Sequence, residues 1–109
     1  MIRSKVRPGS EVVSLNVGGT HHFQIEKEVL RSVEGSTLAK MFSDMHELKE
    51  VDGEIFLDRD GRIFELLANY LRNDRQIYPD FSDVNWERQF LGELHFWGIE
   101  HAPTQVWQQ

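Results

Sequence analysis

A short apolar run, a polar turn and a helical repeat of apolar residues follow one another between residues 55 and 72. The run is Ile55-Phe56-Leu57, which is typical of a strand. After the turn, apolar residues recur at the spacing of one helix face; they are Ile63, Leu66, Leu67, Tyr70 and Leu71. Asp60 is expected to cap this helix, because a short carboxylate accepts hydrogen bonds from unpaired backbone N–H groups. We expect Phe56 and the apolar helix face to be buried together.

A pair of glycines, Gly18 and Gly19, separates two extended apolar runs nearer the start of the chain, which is typical of a β-hairpin. A two-residue loop would place the apolar residues of the two strands on opposite faces. A loop that also includes Thr20 pairs Leu15 with Phe23, because a slip of one residue moves every side chain across the sheet. The sequence therefore predicts a three-residue loop or a bulge.

Helical spacing returns between the hairpin and residue 55. Residues 26–33 predict one short helix. Ser36 is expected to cap a second helix, whose buried face would carry Leu38, Met41 and Phe42. The polar and acidic stretch 44–53 predicts a surface loop.

The last helical repeat begins near residue 84. Ser82 or Asp83 can supply its N-terminal cap, and Gly98 its C-terminal stop. Short strands mixed with several helices predict an α+β domain, with helices covering one face of the sheet.

The length of 109 residues suits one domain with one modest core. We expect a flexible N-terminal tail over 1–10, the domain over 11–101, and a C-terminal tail or the start of a truncated segment over 102–109. The sequence has no cysteine, which excludes disulfides, thiolate metal sites and cysteine nucleophiles and fits an intracellular compartment.

Twelve basic and eighteen acidic residues give a formal net charge of −6, which opposes binding to nucleic acid. The basic residues Arg3, Lys5 and Arg7 are interpreted as part of a solvated arm. No apolar run approaches the roughly 20 residues that span a bilayer, so we expect no direct membrane contact from this segment.

The histidines do not have the spacing of metal ligands. His21 and His22 are neighbours on a strand and point to opposite faces. His46, His95 and His101 have no partner at helical or strand ligand spacing. We therefore predict neither a metal site nor a cofactor.

Asp58 and Asp60 invite a catalytic interpretation, since paired carboxylates can perform acid–base chemistry. A turn and a helix cap explain them better, because the position before a helix favours such side chains. Arg59 between them can orient the turn or pair with a neighbouring subunit. A small hydrolase remains the less favoured alternative to a non-enzymatic domain.

Two motifs together resemble the BTB/POZ domain of the potassium-channel tetramerisation type, which includes the KCTD proteins and the assembly domain of voltage-gated potassium channels. The hairpin motif comprises Asn16, Gly18, Gly19 and Phe23, and the turn motif comprises Asp58, Arg59, Asp60 and Gly61. Residues 91–99 are similar to the closing helix of the family, so the resemblance covers about residues 12–100. In this family the phenylalanine usually stands three residues after the second glycine, whereas Phe23 stands four after it.

The resemblance implies a BTB/POZ fold, with a small and mainly three-stranded sheet covered by about five helices. It also implies a homo-oligomeric ring, tetrameric in channels and often pentameric in KCTD proteins. Some channel members bind zinc between subunits through histidine and cysteines, a ligand set that this chain cannot reproduce. Charged helix residues are candidates for setting the register between subunits; they are Glu65, Arg72, Arg75, Glu87 and Arg88.

Many KCTD proteins recruit the Cullin-3 ubiquitin ligase through their rim. Transferred to this chain, that rim comprises Met45, His46, Leu48 and Phe81. The turn motif and the Tyr70-Leu71-Arg72-Asn73 ending favour a cytoplasmic KCTD-like ubiquitin ligase adaptor. The cytoplasmic tetramerisation domain of a voltage-gated potassium channel is the alternative.

Overall fold

A computed structural model describes residues 11–43 and 48–100, and its sheet begins with the predicted hairpin. Strand β1 (Val12–Val17) pairs antiparallel with strand β2 (His21–Glu26), and Leu15 lies opposite Phe23. The connection comprises the three residues 18–20, which confirms the predicted loop. Both of its glycines have positive φ, 68° and 80°, which glycine adopts at little cost.

Two further strands complete the sheet. Strand β3 (Glu50–Val51) pairs antiparallel with strand β4 (Glu54–Leu57), which runs parallel to β1, so the strand order is β2-β1-β4-β3. Part of the stretch predicted as a loop is therefore a hairpin. Its two turn residues, Asp52 and Gly53, have positive φ of 55° and 81°, as two-residue hairpin turns require.

The described residues contain four helices, against about five expected. Helices α1 (Lys27–Leu30) and α2 (Thr37–Ser43) lie in the crossover that a parallel strand pair requires, and α3 (Gly61–Arg72) and α4 (Val84–Trp97) follow the sheet. Helix α1 is shorter than the predicted segment 26–33. The mixed architecture confirms the predicted α+β class.

The predicted caps are in place. The Asp60 carboxylate accepts hydrogen bonds from two backbone N–H groups in the first turn of α3, at 2.9 and 3.2 Å. Asp83, one of the two predicted residues, caps α4. Gly98 ends α4 with φ of 73°, and the N–H of Ile99 donates to the carbonyl of Leu94 at 2.9 Å.

Strand β4 buries different residues from those predicted. Ile55 and Leu57 pair with Leu15 and Val17 of β1 and face the core, whereas Phe56 is 48% exposed on the opposite face. The prediction that Phe56 is buried with α3 is therefore wrong. Side chains alternate along a strand, so burying both neighbours of Phe56 turns its ring outward.

Aromatic rings join the three parts of the core. Phe23 of β2 contacts Phe64 of α3 with ring centres 5.8 Å apart, and Phe64 contacts Trp97 of α4 at 6.2 Å. The hairpin, α3 and α4 thus share one core on the inner face of the sheet. The predicted tails, 1–10 and 102–109, lie outside the described residues.

Candidate self-association surfaces and partner rim

The glycine hairpin and the polar turn after β4 meet at one end of the sheet. The N–H of Gly18 donates to the carbonyl of Leu57 at 2.8 Å, and the Asn16 side chain accepts from the N–H of Gly19 at 3.0 Å. A Cβ atom on Gly18 would lie 2.5 Å from the carbonyl oxygen of Arg59, closer than real Cβ atoms approach. Two motifs that are distant in sequence therefore form one interlocked unit.

Arg59 connects this unit to α4. Its guanidinium donates to both carboxylate oxygens of Glu93, at 2.8 and 3.1 Å, and lies 3.6 Å from the ring centre of Phe96. The Glu93 side chain is only 5% exposed and also accepts from the indole N–H of Trp97 at 2.8 Å. The hydrogen bond to Glu93 is the main cause that raises the pKa of Arg59 above its ordinary value. The turn is thereby held against α4 by a bidentate ion pair whose carboxylate is buried and whose guanidinium is partly exposed.

Glu93 is a residue that the sequence analysis missed. It lies on the buried side of α4, among Phe90, Leu94 and Trp97. An acidic residue inside an apolar helix stripe is rarely buried without a partner. That rule could have predicted a buried cation for Glu93, although not that the cation is Arg59.

Asp58 and Asp60 do not act as a pair in this geometry. The Asp60 carboxylate caps α3, whereas Asp58 is exposed. A cleft of about 400 Å³ next to the turn is lined by Asp60 but not by Asp58. Glu93 also lines this cleft, where it is bound to Arg59. The arrangement thus supports the structural interpretation of the turn and not a hydrolase.

The histidine side chains follow the strand register. The ring of His21 lies on the inner face directly against the backbone of Gly61, where a Cβ atom on Gly61 would clash with it. His22 lies on the outer face, with its Nδ1 2.9 Å from the Glu54 carboxylate. Within residues 11–43 and 48–100, no group of three or more His, Asp or Glu residues is placed to hold a metal ion. His46 and His101 lie outside the described residues.

Three of the five charged candidates for self-association are half-buried and hydrogen-bonded within the chain. Arg72 donates to the backbone carbonyl of Gln24 at 3.2 Å, and burial lowers its pKa. Arg75 donates to the carbonyl of Glu100, and Glu87 accepts from the hydroxyl of Tyr78.

The other two candidates, Glu65 and Arg88, are exposed. Arg88 donates to the side chain of Asn85 at 3.1 Å, one turn earlier in the same helix. Both residues are therefore placed where a second chain could reach them.

The candidate rim is described only in part. Met45 and His46 lie outside the described residues. Leu48 is half-buried against the core. Phe81 is half-buried in an aromatic cluster, with ring centres 5.8 Å from Tyr78 and 5.5 Å from Phe90.

Phe81 borders a second cleft, which has a volume of about 400 Å³. The other residues that line it are Leu66, Pro79, Asp80, Ser82 and Trp86. The combination of aromatic, aliphatic and polar side chains suits contact with a protein partner.

The outer face of the sheet, opposite the described helices, exposes large apolar side chains. Val12, Val51 and Phe56 are 46%, 54% and 48% exposed. The strand register places all three on the face away from the core. Val51 and Phe56 are diagonal neighbours on β3 and β4, whereas the polar residues Ser14 and Asn16 separate Val12 from them. Large apolar side chains exposed on one face are candidates for contact with another chain.

None of the helices within residues 11–43 and 48–100 combines the length and the apolar character needed to cross a bilayer.

The sequence profile of the BTB/POZ domain matches residues 13–106. The chain belongs to the BTB/POZ family. Its type is that of the potassium-channel tetramerisation domains, as the two motifs predicted. A BTB domain of this type is a non-catalytic protein-interaction domain.

Curated relatives of this BTB domain are potassium channel regulatory proteins. Over 77 residues it is 43% identical to the Bos taurus protein and 42% identical to the Mus musculus protein; these matches cover 69% of this chain and 28% and 29% of the two relatives. The Homo sapiens protein is 39% identical over 75 residues, which are 67% of this chain and 27% of that protein. The matched region therefore spans less than a third of each relative.

Proposed function

We propose that this BTB domain assembles with copies of itself into a closed ring of four or five subunits and presents partner-binding elements on the rim. BTB domains of this type self-associate. The observation that carries the proposal is the outer sheet face, where Val12, Val51 and Phe56 leave apolar surface in contact with water. Association with a second copy would remove that surface from water, which is the main driving force for protein association.

The mass of the full chain in solution tests this proposal. Native mass spectrometry and sedimentation velocity should find a species four or five times the 12.8 kDa mass of the chain. The distribution should move toward the monomer on dilution, because assembly depends on concentration. A chain that remains a monomer at high concentration would contradict the proposal.

The leading role for such a ring is that of an adaptor that recruits Cullin-3 through the rim formed by Met45, His46, Leu48 and Phe81. Supporting observations are the resemblance to the KCTD group and the cleft that Phe81 borders.

A capture experiment with purified Cullin-3 tests this role. The wild-type chain should bind Cullin-3, and the Met45→Asp variant should not. Lys40→Asp, at an exposed position of α2, is the matched control and should retain binding. Absence of binding by the wild-type chain would end this role.

The names of the curated relatives support a second candidate, that of a domain that assembles with potassium channel subunits or is itself a channel tetramerisation domain. Native mass spectrometry of a mixture with a purified channel assembly domain should then show rings that contain both chains. Rings of one kind only would favour the adaptor. Both candidates place the domain in the cytoplasm, which fractionation of cells that express the tagged chain would test.

A further inference from the structure

The chain contains two Asp-Gly pairs, Asp52-Gly53 and Asp60-Gly61, and the structure places them in contrasting surroundings. In such a pair the backbone nitrogen of glycine can attack the side-chain carboxyl carbon of the aspartate, because glycine has no side chain to hinder the approach. Whether a given pair reacts depends on how freely both groups can move. The two pairs therefore provide a comparison within one molecule.

The first pair forms the two-residue turn between β3 and β4, and both of its residues are exposed. Asp52 has φ of 55°, a left-handed conformation that residues other than glycine adopt at a cost. A Cβ atom on Gly53 would meet no other atom within 4 Å, so the space around the turn is open. Within residues 11–43 and 48–100, no hydrogen bond or ion pair holds the Asp52 carboxylate.

The strand before this turn gives it little support. Strand β3 has two residues and lies at the edge of the sheet, where it pairs with β4. A short edge strand with exposed residues belongs to the part of a protein that opens locally at low cost. Each opening allows the backbone at Asp52 to rotate until the Gly53 nitrogen faces the carboxyl carbon.

The second pair is held on both sides. The Asp60 carboxylate accepts hydrogen bonds from the backbone N–H groups of Arg62 and Ile63, at 2.9 and 3.2 Å. Gly61 is buried as the first residue of α3, and the ring of His21 packs against it. The carboxyl carbon cannot turn toward the Gly61 nitrogen unless the cap breaks and the start of the helix unwinds.

We propose that Asp52 is the site of a spontaneous modification, the isomerisation of aspartate to isoaspartate. The Gly53 nitrogen attacks the Cγ carbon of the protonated Asp52 carboxyl group, and the amide hydrogen leaves with the hydroxyl group as water. Water then opens the succinimide ring. Cleavage between nitrogen and Cγ restores aspartate, whereas cleavage between nitrogen and the main-chain carbonyl carbon leaves a chain that runs through Cβ and Cγ. One water is lost and one is gained, so neither the mass nor the oxidation state changes.

Isoaspartate at this position alters the edge of the sheet. It adds a backbone atom to a turn whose length fixes the pairing of Val51 with Glu54. The Glu54 carboxylate is bound to His22 on the outer face, so the change extends beyond the turn itself. The modification therefore disrupts the β3–β4 hairpin and leaves the helices in place.

Incubation of the full chain at neutral pH and body temperature tests the proposal. Peptide mapping with electron-transfer fragmentation distinguishes isoaspartate from aspartate of the same mass, and it should find isoaspartate at position 52 and aspartate at position 60. The same incubation in concentrated urea should produce isoaspartate at both positions, because unfolding removes the cap at Asp60. Equal conversion at both positions of the folded chain, or no conversion at position 52, would overturn the inference.

The variants Asp52→Asn and Asp60→Asn form a matched pair that makes the reaction visible as a change of mass. Asparagine suits the same turn and the same helix cap, so both variants should unfold at about the wild-type temperature. An Asn-Gly pair forms the same succinimide but releases ammonia, and the water that then enters leaves a product heavier than the starting chain. The folded Asp52→Asn variant should gain mass, and the folded Asp60→Asn variant should not. Equal rates of gain would show that the surroundings do not select Asp52, and the proposal would fail.

Discussion

Arg59 shows how much a single residue depends on positions far along the chain. Glu93, its partner, is 34 residues later and only 5% exposed. Without Arg59, the Glu93 carboxylate would retain the indole N–H of Trp97 as its described hydrogen-bond donor. A buried charge that loses its partner is costly, because the protein interior solvates it poorly.

Arg59→Met should therefore lower the free energy of unfolding by about 2 kcal/mol. This loss is smaller than that for a fully buried ion pair, because the Arg59 side chain is 31% exposed. Arg31→Met, at an exposed position just after α1, should change stability by less than about 0.5 kcal/mol. Urea unfolding of both variants measures the difference. Equal effects would show that the pair contributes little.

Tyr78 is a second residue whose chemistry depends on tertiary contacts. Burial and a 2.7 Å hydrogen bond to Glu87 raise its pKa above the ordinary tyrosine value. The unfolded chain therefore loses this proton first as the pH rises above about 10. The contribution of Tyr78 to stability should be complete below that pH and should decline as the pH rises toward the folded-state pKa.

Titration of phenolate absorbance, with Tyr78→Phe as the reference, should show Tyr78 ionising above the ordinary range. Glu87→Gln should lower its pKa, because the anionic acceptor is removed. Glu28→Gln, at an exposed position of α1, should leave the titration unchanged. A Glu87→Gln curve identical to that of the wild type would contradict the assigned cause.

At the scale of elements, the hairpin and the turn depend on each other through Gly18. Both loop glycines have positive φ, but only Gly18 also lies against a neighbouring backbone, at the carbonyl oxygen of Arg59. Gly19→Ala should cost about 1 kcal/mol from the left-handed conformation alone. Gly18→Ala should cost at least about 1 kcal/mol more, because the backbone contact must shift. Thermal unfolding of the two variants measures the gap, and equal losses would contradict the close contact.

Elements with a clear period were predictable, and very short ones were not. The apolar repeat of α3 and its cap at Asp60 could be read from the sequence because both signals are local. Strand β3 has two residues, Glu50 and Val51, too few to show an alternating pattern. It exists because β4 offers an edge for pairing, and the local signal for that pairing is the Asp52-Gly53 turn, which the sequence analysis assigned to a loop.

At the scale of the whole molecule, the two sides of β4 should separate folding from assembly. Ile55 is 3% exposed in the core, so Ile55→Ala should lower protomer stability by about 3 kcal/mol. Phe56 is 48% exposed, so Phe56→Ala should cost less than about 1 kcal/mol in the monomer and yet weaken self-association. Chemical unfolding at low concentration, combined with sedimentation at high concentration, distinguishes the two effects. Similar losses of stability from both substitutions would contradict this assignment.

Local sequence alone determined the glycine hairpin, the caps at Ser36 and Asp60, the helix stop at Gly98 and the α+β class. It also limited the hairpin connection to a three-residue loop or a bulge, and the cap of α4 to Ser82 or Asp83. Each depends on backbone conformation or on spacing within a few residues. Only the tertiary structure decided that Phe56 faces outward and that Arg59 binds Glu93. It also decided that Arg72 is half-buried against the backbone of β2. These outcomes depend on which strands pair and on where each helix packs. Such long-range contacts produce no periodic pattern of apolar residues in the sequence.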